Sequence, residues 1–309
     1  MNFEKLLIFL MIFVCAVVPV CAQETDTIEM VTYLDGLDRE VSVPAEITSA
    51  VTLAPSLTET LYFLGAGDLI KAVDINSDYP ESAAELEKVT SWDTGVNYEK
   101  LLSLDPDIIF ASEMTSLEEI SNMEDLGLTV YCVKNPADFP ELFETILTIG
   151  GVIGKEQEAV SLVDGLKLRV DEVKTAMDGC EDRALVFYEL DATDSSKPWT
   201  AGKGTFISDI IDISCGKNLG DSLDGAWVQI SLEALIQADP SVILLGDAAY
   251  GNSPEAAAAR TGWDGITAVK EGKLFEFDDN LVSRPGPRLV EGLEVIAKLL
   301  HPERFEIGQ

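Results

Sequence analysis

NYEKLLSLDPDIIF (residues 97–110) and SLEALIQADPSVIL (231–244) align without a gap, 134 residues apart. Glu99/Glu233, Leu101/Leu235, Asp105/Asp239, Pro106/Pro240 and Ile109/Ile243 are identical. Apolar character is kept at Leu102/Ile236, Ile108/Val242 and Phe110/Leu244, and each copy opens on a good helix cap, Asn97 or Ser231. Each copy reads as a short helix stopped by proline and followed by a buried strand. A tryptophan stands shortly before both, Trp92 and Trp227. A solenoid repeats every ~20–50 residues, so copies this far apart mark two lobes of common design.

Working outward, strand and helix patterns alternate. SAVTLA (49–54), LIKAVD (69–74), DIIFAS (107–112) and LTVYCV (128–133) are short apolar strands. PSLTETLYFLG, EKLLSLD and SLEEISNMEDLG between them are helical. Single helices between strands imply parallel βαβ units. From about Pro140 to Cys180 the pattern is helical, with a break expected at Gly150-Gly151; Val160, Val163, Leu166, Val170 and Val173 form its apolar stripe. Alternation resumes with ALVFYEL (184–190), a helix from Thr205 to Ser214, SVILLG (241–246), KLFEFD (273–278) and a last helix from about Pro287. The fold class is α/β, with two Rossmann-like lobes joined by a long rigid backbone helix. The expected divisions are a leader at 1–22, an N-terminal lobe at 23–139, a connecting helix at 140–182 and a C-terminal lobe at 183–309. Open α/β sheets take ligands beyond the carboxyl ends of their strands, which places a ligand cleft between the lobes.

Composition narrows the function. The 309 residues carry a net charge of −34, which repels phosphate backbones and anionic headgroups and argues against nucleic-acid partners. With 47% hydrophobic residues the chain can still bury a large core. The single histidine, His301, excludes a Ser-His-Asp triad, a multi-histidine zinc site and HExxH. No catalytic residue and no metal site is expected.

LLIFLMIFVCAVVPVCA (6–22), after Lys5, has the layout of a secretory signal with a small-residue cleavage site at Val20-Cys21-Ala22. An uncleaved anchor is the alternative, since ~17 residues is the lower limit of a membrane span. A lipid on Cys21 is a weaker reading, because Val20 is large for that position. Beyond the leader remain Cys132, Cys180 and Cys215, an odd count that allows one disulfide and leaves one thiol over.

Trp92, Trp199 and Trp227 lie in turn-rich segments, VTSWDTG, SSKPWTAG and LDGAWVQ. Loop tryptophans commonly roof small satellite cores; converging on one cleft, they would instead grip a large flat ligand by dispersion. In LVSRPGPRLVEG (281–292), Arg284 stands on a proline-stiffened bend and is expected to face ligand carbonyls or carboxylates. Arg288 starts a helix, where the dipole disfavours a cation, and needs a carboxylate partner. Glu99 and Glu233 suit the helix dipole, and equally a two-point docking to basic sockets. AGKGT (201–205) fails as a phosphate loop, because Lys197 stands where the first glycine belongs.

TLAPSLTETLYFLGAGD, VDINSDYP, VTSWDTGVNYEKLLSLDPDIIFA, PWTAGKGTFISDII, GAWVQISLEAL and SRPGPRLVEGL, in this order, resemble the substrate-binding proteins of ABC importers for cobalamin and ferric siderophores. The resemblance spans about residues 45–302 and is nearest to the cobalamin binders. It implies an exported, non-enzymatic, monomeric binding protein serving permease and ATPase subunits, periplasmic or at the extracellular face of the cell membrane. The implied ligand is a corrinoid held by Trp92, Trp199, Trp227 and Arg284, with Tyr79 of the Ser77-Asp78-Tyr79-Pro80 run beside them. Asn76 stands where the family has a ligand-contacting tyrosine, and Asp279 roughly matches an acidic residue before the arginine. Glu99 and Glu233 match the docking glutamates. The family's second-lobe disulfide has only Cys215, with no counterpart in EVIAKLL. A ferric siderophore is the runner-up; an anionic chelate wants several cations, and only Arg284, Lys197 and Lys203 are at hand. Haem lacks a cleft histidine, and a two-lobed metalloenzyme lacks clustered thiolates.

Overall fold

The computed structural model describes residues 29–305, so the leader expected at 1–22 lies outside them. Two sheets carry the architecture. The first runs Glu87–Lys88, Ile70–Val73, Ala50–Thr52, Ile108–Ser112, Val130–Val133, and the second Gly216–Asn218, Ala184–Glu189, Val242–Leu245, Leu274–Glu276. Neighbouring strands in both are parallel. Apart from the edge pair Glu87–Lys88, each sheet sets its strands in the spatial order second, first, third, fourth. The duplicated segment is thus the helix and third strand of each sheet, Tyr98–Leu104 into Ile108–Ser112 and Leu232–Ala238 into Val242–Leu245.

Both copies are built by the same local chemistry. Asn97 and Ser231 side chains accept from the backbone N–H of Lys100 and Ala234, satisfying a first-turn donor. Asp105 and Asp239 close the helices in the left-handed region, at φ 45° and 50°, a conformation that aspartate visits more readily than most residues. The proline that follows forbids continuation. A short antiparallel ribbon precedes each copy: Thr90–Ser91 with Gly95–Val96, and Trp199–Ala201 with Trp227–Gln229.

Side-chain alternation along the third strands separates three apolar cores. Ile109 joins Leu101 under the outer face of the first lobe, and Ile243 joins Leu235 under that of the second. Ile108 and Val242 point the other way, into one continuous cluster shared by both lobes. Leu57 of the first lobe belongs to it, as do Phe143, Val163, Leu166 and Val170 of the connecting segment and Ile210 and Leu293 beyond the connection.

The connection differs from a single helix broken at Gly150-Gly151. Helix Phe139–Val152 contains both glycines, and the break comes at Gly154, whose φ of +68° ends it before helix Glu156–Ala176 begins. Gly150 serves contact instead: a Cβ there would stand 2.5 Å from that of Ala159, so its absence lets the two helices pack closely. Ala159 consequently takes the inward position expected for Val160, which is exposed. The second helix meets the terminal helix Leu289–Leu300, where Arg169 pairs with both oxygens of Glu294 at 2.7 and 2.9 Å. No helix among the described residues is long and apolar enough to cross a membrane.

The missing partner of Cys215 is Cys180, just beyond the connecting helix. The terminal helix Leu289–Leu300 contributes no cysteine; its C-cap His301 packs against the disulfide instead, with Nε2 3.8 Å from Cys180 Sγ. Cys132 is the leftover thiol and is buried. Replacing Cys215 by Ser in a chain beginning at Gln23 should lower unfolding free energy by ~2–4 kcal/mol. Thiol titration in denaturant should then detect Cys180 as well as Cys132.

Asp35 closes the turn between strands Met30–Leu34 and Glu40–Pro44 and is buried. Its carboxylate accepts from the backbone N–H groups of Leu37, Arg39 and Cys132 and from the Arg39 guanidinium. Burial pushes its pKa up, but these hydrogen bonds outweigh it and hold the carboxyl below its ordinary value of 3.8. A depressed folded pKa means that this stabilisation is present above pH 3.8 and is lost as pH falls through the folded value. Asp35→Asn should cost ~1–3 kcal/mol in denaturant titrations at pH 7, and the gap to wild type should close on acidification below pH 3.8.

Candidate functional site

Segments that leave the carboxyl ends of both sheets face one another across a cleft of about 640 Å³. From the first sheet come Leu53–Ser56 after Thr52, Asp74 and Asn76 after Val73, and Met114 after Ser112. From the second come Leu190 after Glu189, Tyr250 beyond Leu245, and Asn280 with Ser283–Pro285 beyond Glu276. The volume is within the ~300–1,000 Å³ usual for small-molecule sites.

Aromatic faces dominate the rim. Trp92 sits between the strands of the first ribbon and is 78% exposed. Trp227 opens the second strand of the other ribbon, and its ring lies 5.9 Å from that of Phe206, which also lines the cleft. Trp199 starts the partner strand, diagonal to Trp227 in the register; it is half-exposed and does not line the cleft. Tyr250 is 89% exposed on a loop anchored from below. There Asp247 accepts from the Ala192 N–H at 2.8 Å and from Asn252, which accepts in turn from Arg260. Arg260 donates to both oxygens of the fully buried Glu189, whose carboxyl burial pushes up to about 7.

Arg284 does line the cleft, but it is not a free cation. Its Nη1 donates to Glu59 Oε1 at 3.1 Å and Asp78 Oδ1 at 2.6 Å, and its Nη2 to the Asn76 carbonyl at 3.3 Å. Arg288 has the carboxylate partners that its helix-start position demands, Glu59 at 3.3 Å and Asp278 at 3.2 Å. Its guanidinium stacks on Tyr79, 4.1 Å from the ring centroid, so Tyr79 props the network and is not part of the cleft lining. Asp279 is also off the lining: it accepts from the Tyr188 hydroxyl. Glu59 is the residue that sequence reading missed. It is fully buried on helix Pro55–Phe63, and burial raises its pKa against the downward pull of both guanidiniums. The available signal was a lone carboxylate inside PSLTETLYFLG, an otherwise uncharged helix.

Among the described lining residues, Asp74 and Arg284 are the charged ones. Lys197 and Lys203 are exposed elsewhere, and His301 is buried against the disulfide. Glu99 and Glu233 are exposed in the first turns of the two repeated helices, each just after the ribbon that brings a tryptophan to the cleft.

The family model described as periplasmic binding protein matches residues 51–281. The chain is 34% identical, over 92% of its length and 90% of the relative's, to an uncharacterised ABC transporter substrate-binding lipoprotein, YvrC, of Bacillus subtilis. It superimposes with a TM-score of 0.72 and 30% identity on a possible iron-binding, periplasmic solute-binding protein of Staphylococcus epidermidis, covering 83% of this chain and 99% of that one. The vitamin B12-binding protein BtuF of Vibrio cholerae gives 0.71 at 25% identity, covering 85% of this chain and all of the other. The chain therefore belongs to the periplasmic binding protein family, and it is a binding protein, not an enzyme.

Proposed function

We propose that this protein is the exported solute-binding component of an ABC importer and that its cargo is a corrinoid. The observation that carries the reading is the character of the cleft wall. It offers broad indole and phenyl faces, from Trp92, Trp227 and Phe206, beside one guanidinium whose charge carboxylates already offset. A large flat ligand rimmed by uncharged amides matches both features: dispersion against the rings and carbonyls against the remaining Arg284 N–H groups. Relatives named for vitamin B12 support it.

A ferric siderophore of high negative charge fits less well, because among the described residues the lining carries no cation besides Arg284. Haem keeps one foothold, since the Tyr250 phenol is an iron ligand of a known type. Calorimetry and visible spectra with cyanocobalamin, ferric chelates and haemin decide among them. A one-to-one corrinoid complex without turnover is expected; saturable binding of ferric chelates or haemin alone overturns the reading. Trp92→Ala and Trp227→Ala should each weaken corrinoid binding roughly tenfold, and Trp199→Ala less.

Glu99 and Glu233 are proposed to seat the loaded protein on the permease. With the permease–ATPase complex in vesicles, the Glu99→Lys, Glu233→Lys double variant should bind ligand normally in calorimetry yet fail to stimulate ATP hydrolysis.

A further inference from the structure

We infer that Glu59 is the residue that sets the charge preference of the cleft, by cancelling the positive charge that Arg284 would otherwise present to the ligand. The inference rests on the binding role proposed for the cleft and adds to it the class of ligand that the wall refuses: polyanions.

Glu59 comes from the first lobe and meets two guanidiniums of the second. Its Oε1 accepts from both Arg284 and Arg288, while Oε2 is buried without a partner. Such a buried carboxylate is a poor stabiliser compared with apolar packing of the same volume. The lobes are in any case already fused by their shared core, which contains Leu57 and Leu61 from the same helix. What Glu59 does change is the local charge. Arg284 and Arg288 bring two positive charges, and Glu59, Asp78 and Asp278 bring three negative ones. Asp74 lies on the lining as well.

Arg284 is left as a hydrogen-bond donor backed by a cluster in which negative charges outnumber positive ones three to two. Two of its five N–H groups go to Glu59 and Asp78 and one to the Asn76 carbonyl, so Nε and one Nη2 hydrogen stay available for a neutral acceptor. A carboxylate ligand would gain the same two bonds but would also meet the like charges of the buried Glu59, unscreened by water, and of the more exposed Asp78. Glu59 is thus a positioning residue that acts through Arg284 without touching the cargo.

The test compares two corrinoids with the same ring: dicyanocobinamide, with peripheral amides, and dicyanocobyrinic acid, with carboxylates. Calorimetry on wild type should show preference for the amide form. Glu59→Gln and Asp78→Asn should each move the affinity ratio toward the carboxylate form by about tenfold, equivalent to ~1.4 kcal/mol. Glu59→Asp, which keeps the charge, should hold the wild-type ratio. A merely structural role lowers both affinities together and leaves the ratio where it was, and that result overturns the inference. Asp78 is mostly exposed, so its variant tests the same point should Glu59→Gln fail to fold. If wild type takes neither corrinoid, the cargo reading falls. The ratio is then read with an uncharged ferric trihydroxamate and a trianionic ferric tris-catecholate, where the same shift supports the charge role and an unchanged ratio overturns it. Binding of neither pair overturns both.

Discussion

The unbroken apolar cluster beneath both sheets is the constraint on which the rest depends. Two Rossmann-like lobes that each buried their own inner face would be separate bodies, free to swing on a linker. Here Ile108 and Val242, at matching places in the repeat, are buried in the same cluster, with the helix Glu156–Ala176 threaded between the lobes. Its removal from water holds the carboxyl ends of the two sheets at a set separation. The cleft exists because the cores are joined below it and not above it.

Much of this was legible in the chain, because duplication leaves marks that one sequence suffices to show. Asp105-Pro106 and Asp239-Pro240 stop their helices by the same backbone chemistry, and the apolar pairs that follow alternate faces as strands must. The paired tryptophans Trp92 and Trp227 reach the rim because each rides the ribbon that enters the repeated helix. Trp199 resisted this logic: it has no counterpart in the first lobe, and its place off the lining shows only in the tertiary arrangement.

What the chain concealed are contacts between distant segments. Gly150 and Gly154 look alike in sequence, yet one relieves a helix–helix contact and the other ends a helix; the position of Ala159 and the positive φ of Gly154 distinguish them. Cys180 sits 35 residues from its partner, and no local pattern points to it. Glu59 lies 225 positions from Arg284. A periodicity argument treats a glutamate in a helix as solvent-facing, and nothing short of the tertiary arrangement brings two guanidiniums down upon it. The same blindness made Arg284 look like a free cation.

A joined core also determines how occupancy can be communicated. Rotating one lobe against the other would tear apolar surface out of contact along the whole length of the connecting helix, so the filled and empty forms must present almost the same silhouette. The first turns at Glu99 and Glu233, proposed above as the docking points, would keep the same spacing either way. On the proposed role, a ligand would then be sensed at the mouth, by what protrudes between Trp92 and Tyr250, more than by any change in the outline of the lobes.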